Sequence, residues 1–217
     1  MSDGCCRADA AFDGSSTPYR RVLWVIIALN AAMFMVEVAA GYLARSQALQ
    51  ADALDFLGDA ATYALTLLVI GRPPAWRANA ALFKGLSLGV LALWVAGSTL
   101  WRAIDGGAPE PTAMSVVGGL ALCVNVGAAL LLYRFRDGEA NVRSVWLCSR
   151  NDAIGNIAVV FAAAAVWASG SSWPDLVVAM AMSMLFLHSS ARIIGQARSE
   201  LRQLRSAPPA FRVAAPR

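Results

Sequence analysis

The sequence predicts an all-α fold, a six-helix transmembrane bundle with both termini on the cytoplasmic side. Three observations carry that prediction. Apolar residues make up 58% of the 217-residue chain and charged residues only 15%, the balance of an integral membrane protein. Six apolar stretches separated by Gly, Pro and Arg are each long enough to supply the roughly 20 residues that a helix needs to cross a bilayer. Arginines gather at alternate ends of those stretches, which is the charge bias of cytoplasmic loops.

Residues 1–18, polar and mildly acidic, form a flexible cytoplasmic tail, and residues 19–196 form the six-span domain. The tail has no basic run leading into a short apolar core and cleavage site, so the first apolar segment is expected to stay in the membrane. Its vicinal Cys5 and Cys6 read as reduced thiols without ligand geometry, the alternative being a collector of soft metal ions. The first span, Val22 to Leu43, follows Arg20 and Arg21 and contains Asn30 and Glu37. An acid inside a membrane must face protein or water, so Glu37 is either functional or part of a hydrogen bond between helices.

The second span begins near Gln47 and ends at Gly71-Arg72-Pro73-Pro74, where a helix cannot continue. The third runs from about Asn79 to Arg102, with Lys84 near enough to its start to snorkel toward the headgroups. After I-D-G-G-A-P-E-P the fourth covers Thr112 to Tyr133; Cys123 reads as a small buried apolar residue, and Gly118, Gly119 and Gly127 suit close helix packing. The fifth extends from Val145 to Trp167 and the sixth from Leu176 to Ile194. The lone His188 reads as an interfacial residue. Residues 197–217 are read as a basic cytoplasmic tail with no folded domain.

The arginine count sets the orientation. One side holds Arg20, Arg21, Arg72, Arg77, Arg134, Arg136, Arg143, Arg198, Arg202 and Arg205; the other holds Arg45 and Arg102 beside Asp105, Glu110 and Asp175. The net charge of +4 therefore reflects membrane topology and gives no support to a nucleic-acid partner. Four scattered cysteines exclude a disulfide framework.

Chemistry concentrates in Q-A-L-Q-A-D-A-L-D-F-L-G-D-A-A-T, residues 47–62. Asp52, Asp55 and Asp59 lie three and four residues apart, which puts them on one helical face with successive side chains about 6 Å apart. Such a stripe cannot face lipid. In the fifth span Cys148 and Asp152 repeat the one-turn spacing, whereas Arg150 lies roughly 200° around the helix from them. Two pairs of oxygen or sulfur donors on two apolar helices point to a divalent-cation site of Asp55, Asp59, Cys148 and Asp152. Glu37 and Asn156 are accessory candidates.

These two stretches carry a resemblance. S-Q-A-L-Q-A-D-A-L-D-F-L-G-D resembles the second-helix motif of the cation diffusion facilitators, with Asp55 and Asp59 on its ligand positions, and N-V-R-S-V-W-L-C-S-R-N-D-A-I-G-N resembles the fifth-helix motif. Cys148 stands there where His or Asp is usual, and the Gly- and His-containing approach to the third helix is replaced by R-P-P-A-W-R-A-N. The resemblance implies a proton-coupled antiporter, a homodimer in the cell inner membrane, that exports Zn2+, with Cd2+ or Co2+ as further substrates. It also implies a short form without the family's cytoplasmic domain. Asp52, one turn outside Asp55, lies toward the outer face because the second span runs inward, and is assigned to the exit vestibule.

The chemistry agrees with that implication. A dehydrated divalent ion needs ligands that replace its hydration shell, and a thiolate softens the site toward cadmium. Clustered carboxylates take up protons when the metal leaves, so the two compete for the same atoms. Two other classes use similar parts: a membrane-embedded, magnesium-dependent enzyme, which would want D-G-x-x-A-R near the acids, and a metal-binding membrane protein that does not transport.

Overall fold

The computed structural model describes residues 17–68, 73–133, 135 and 140–206, without the side chains of 66, 140–148, 150 and 151. Six helices follow one another: α1 Thr17–Leu43, α2 Gln47–Leu68, α3 Pro74–Asp105, α4 Pro111–Tyr133, α5 Ala140–Ser169 and α6 Trp173–Ser206. The expected all-α, six-helix architecture is present, and no strand occurs among the described residues. Cys5, Cys6, Arg72, Arg134, Arg136 and the tail beyond Ser206 lie outside the described set.

Helices α1, α3, α4 and α6 and the Asp152–Ser169 part of α5 are long and apolar enough to cross a membrane. The helix that fails this test, α2, carries the three acids. Its place in the bundle resolves the difficulty, because α2 touches all five other helices. An acidic helix is kept from lipid by making it the centre.

The outside is correspondingly apolar. Trp94, Val90 and Leu100 of α3 and Leu130 of α4 are exposed. Trp24 and Trp76 stand out at one end of the bundle, and Trp101, Trp167 and Trp173 at the other, as in the aromatic belts of membrane–water interfaces. Apolar clusters pack on either side of the acids. Tyr19, Leu23, Ile26, Tyr63, Leu67 and Leu132 fill one end, and Leu49, Met114, Val159 and Val166 fill the other.

Local chemistry sets the boundaries. α3 starts at Pro74, where a missing N–H costs nothing, and stops at Gly106, whose φ of 77° suits glycine. Glu110 caps α4: its Oε1 accepts from the Thr112 N–H at 2.9 Å and its Oε2 from the Ala113 N–H at 2.6 Å. These bonds hold the Glu110 carboxyl below the ordinary glutamate range. α6, with 34 residues, is about 51 Å long, against a hydrocarbon core of about 30 Å. The sixth span and its basic extension are thus one helix.

The start of α2 is fixed from a distance. Asp175, in the first turn of α6 and 1% exposed, accepts from Ser46 Oγ at 2.6 Å, from the Gln47 N–H at 2.8 Å and from the Ala48 N–H at 3.0 Å. Ser46 Oγ in turn accepts from the Leu49 N–H at 3.1 Å. An anion on the exposed amides of a helix N-terminus also meets the positive end of the helix dipole. Gly41 lets α2 fold back this closely, since a Cβ there would lie 2.9 Å from Gln50 Cγ.

Two outcomes follow. Asp175→Ala leaves one hydroxyl and two amides unsatisfied and should lower stability by about 2–4 kcal/mol, read as thermal unfolding in detergent; an unchanged midpoint would remove the latch. The Glu110 cap contributes above the ordinary glutamate pKa and is lost as pH falls through the lowered value. A carboxyl-resonance titration should place its midpoint below that of an unstructured glutamate.

Candidate metal-binding centre

The acids of α2 point inward because the apolar residues between them pack on other helices. Leu54 joins Leu88, Ala92 and Ala179 of α3 and α6, while Phe56 joins Met33 and Ala121 of α1 and α4. That leaves the Asp52, Asp55, Asp59 face for α5. On the far side α4 admits α5 closely at Gly118, where a Cβ would come within 3.2 Å of Val159 Cγ1. Asp152 and Asn156, one turn apart on α5, are thereby set opposite the α2 stripe.

Two layers result. In the first, Asn125 Nδ2 of α4 donates to Asn156 Oδ1 at 2.8 Å, and Asn156 Nδ2 donates to Asp52 Oδ2 at 2.7 Å. Glu37 of α1 lies beside Asp52 on the other side. Asp52, Glu37 and Asn156 have no exposed surface, and Asn125 is 2% exposed. Neither Glu37 oxygen, nor Asp52 Oδ1, receives a donor from a described side chain. Two carboxyls in contact without a donor require a proton or a cation between them.

The second layer lies one turn further along α2. Asp55 and Asp59 both reach the carboxyl of Asp152, so the three form one contiguous group. All three are half-buried. Tyr63 OH donates to Asp59 Oδ2 at 2.5 Å and anchors it from the next turn of α2. Among the described residues no three His, Cys, Asp or Glu side chains are spread around an open centre in the manner of a ready metal site. The carboxyls turn onto one another instead.

The other candidates are placed as follows. Residue 148 falls on α5 one turn before Asp152, but its thiol, like the Arg150 side chain, lies outside the described set. His188 is exposed on α6, as an interfacial residue would be. Cys123 corrects the sequence reading: it is exposed on the outer face of α4, because Ala121 and Asn125 take the inward positions. Lys84 corrects it as well. It is half-buried and turned toward α2, with its Nζ donating to Thr62 Oγ1. The reading also gave no role to Asn125 or Tyr63. Asn125 was visible as an amide inside an apolar span and Tyr63 as a phenol one turn from Asp59, but neither spacing names its partner.

Comparison with known proteins places this geometry in context. The family model for the cation efflux transmembrane domain matches residues 23–202. The chain is 29% identical over 215 residues to the zinc transporter ZitB of Escherichia coli, covering 90% of this chain and 66% of that protein. It is 26% identical over 179 residues to the metal cation efflux system protein CzcD of Cupriavidus metallidurans, covering 77% of this chain and 57% of that protein. A cadmium, cobalt and zinc/H(+)-K(+) antiporter of Bacillus velezensis is 22% identical over 188 residues, 80% of this chain and 60% of the antiporter. The chain thus spans less than two thirds of the length of these relatives.

The amide layer can be tested by itself. Asn156→Ala strips a donor from buried Asp52 and should lower stability by about 1–3 kcal/mol. Combined with Asn125→Ala it should cost less than the sum of the two changes, since both remove the same bond. Unfolding in detergent measures the cycle, and strict additivity would show that the two amides do not share a bond.

Proposed function

Because the chain belongs to the cation efflux transmembrane domain family, we propose that it is a secondary transporter exporting divalent transition-metal cations from the cytoplasm in exchange for protons. Zinc is the main substrate in this reading, with cadmium and cobalt as further ones. One observation carries it: Asp55 and Asp59 of α2 converge on Asp152 of α5 inside an apolar bundle. Carboxyls packed together in such surroundings must hold either protons or a cation. Replacing one by the other at the same atoms is antiport, and no separate proton path is needed. Family membership sets aside the embedded-enzyme alternative.

Asp55, Asp59 and Asp152 are the proposed oxygen ligands, and Cys148 the fourth donor. The helical register supports Cys148, because a residue one turn before Asp152 shares its face. A thiolate would shift preference from hard ions toward zinc and cadmium. Asp52, joined to Glu37 and Asn156, lies on the exit side of this group. The basic ends of the spans support cytoplasmic termini in the cell inner membrane. A homodimer is part of the reading, with the outer face of α4 as its seam: a Cβ at Gly119 or Gly127 would meet nothing within 4 Å, and Cys123 lies between them.

Metal uptake by proteoliposomes with an imposed proton gradient tests the core of the proposal. Asp59→Ala and Asp152→Ala should each reduce zinc flux to background while the protein still inserts and elutes as a single species. Undiminished flux in either variant would sink the ligand assignment. A wild-type protein that binds zinc without moving it would favour the non-transporting alternative. Cys148→Ser should weaken cadmium transport more than zinc transport, and Cys148→Asp should shift preference toward manganese or iron; an unchanged order of metals would make Cys148 a packing residue.

A further inference from the structure

A cleft of about 640 Å³ opens between the last turns of α2, the start of α3 and the far part of α6. Thr62 and Lys84 line it. Asp59 is one turn deeper along α2 than Thr62, so the cleft leads toward the acid layer. Lys84 Nζ donates to Thr62 Oγ1, one turn of α2 from Asp59. Among the described residues, Arg77 of α3 and Glu200 of α6 also line the cleft.

Lys84 and Asp59 belong to different bodies of the bundle. α3 is locked to α6 next to the lysine: Ser190 Oγ donates to the Gly85 carbonyl at 2.8 Å. A Cβ on Gly85 would stand 3.0 Å from Ile193 Cγ2, and one on Gly89 would stand 2.5 Å from Ser190 Oγ. Such contacts leave no slack between the two helices, so α3 and α6 fix where Lys84 stands. Its ammonium nevertheless reaches across to α2. A four-carbon stem with a compact charge suits this role, since it can swing away without moving its helix.

We propose that Lys84 is a tethered-cation gate: its ammonium, held on Thr62 beside Asp59, occupies the cleft approach to the acid layer until a divalent ion displaces it. This rests on reading Asp59 as a metal-binding residue. The gate selects by charge. A sodium or potassium ion offers Asp59 one positive charge, which the tethered ammonium already supplies at high effective concentration. A divalent ion offers two and gathers several oxygen ligands at once, so it displaces the lysine where a monovalent ion does not. Lys84 is therefore a specificity-determining residue and need not be a ligand. Its removal should tighten cation binding from the cleft side, the opposite of what loss of a ligand would do.

The test uses the full chain in proteoliposomes, with zinc as the transported probe and potassium chloride against choline chloride as the competitor. Lys84→Gln should lower KM for zinc about fivefold and make uptake sensitive to potassium, while Lys84→Arg, which keeps the charge, should stay within about twofold of the unaltered protein. Lys84→Met, which keeps the apolar stem, should behave like Lys84→Gln and separates charge from packing if the glutamine variant folds poorly. A KM and potassium response unchanged in both neutral variants would overturn the proposal, as would loss of kcat alone. Asp59→Ala distinguishes the two failures. If it abolishes zinc binding while the lysine variants change nothing, only the gate is wrong; if it leaves zinc binding intact, the site reading beneath the gate is wrong.

Discussion

The whole arrangement depends on keeping several carboxyl groups in contact inside an apolar bundle. Two like charges 4 Å apart at an effective dielectric of about 20 repel by about 4 kcal/mol. Five carboxyls on three helices, Glu37, Asp52, Asp55, Asp59 and Asp152, cannot all be bare and charged at that spacing. The group must hold protons, a metal ion or a neighbouring cation at all times. Architecture follows from this. The acidic helix has to be central, and its neighbours must be apolar on the outside.

The way α2 is held is asymmetric along its length. At its start, Asp175 ties it to α6 through three hydrogen bonds, and Gln47 Oε1 accepts from Ser98 Oγ of α3 at 2.7 Å. At its far end the same two helices stand apart from α2 and leave the cleft. α3 and α6, locked together at Gly85 and Ser190, are thus tied to α2 by several bonds at its start and bridge the cleft at its far end through Lys84. The acids lie between.

Much of this was legible in the sequence because it is local. The six helices follow from apolar length, and their ends from Pro73, Pro74, Gly106 and Gly170. The shared face of Asp52, Asp55 and Asp59 follows from helical periodicity, as does that of Asp152 and Asn156. What stayed hidden is tertiary. Asp175 entered only as a negative charge on the less basic side, yet it forms the cap of a helix 128 positions away from it. Lys84 read as a snorkelling residue because its distance from the span end allows that, and only the partner on α2 decides between the two directions. Cys123 was assigned to the interior on the average habit of cysteine, whereas Asn125 two positions away claims the inward face.

The two layers differ in a way that bears on how an exchanging site keeps its shape. Asn125 and Asn156 donate through amides, which do not titrate, so the bonds to Asp52 do not depend on which cation the neighbouring carboxyls hold. Tyr63, anchored in the apolar cluster with Tyr19 and Leu132, likewise donates to Asp59 as a neutral phenol. A carboxyl cluster held only by its own shared protons would splay when those protons left. Here the donors come from groups whose charge is fixed across the physiological range, and they grip the α2 stripe on both sides of Asp55. The acids can then change occupant while the backbone positions that aim them stay put.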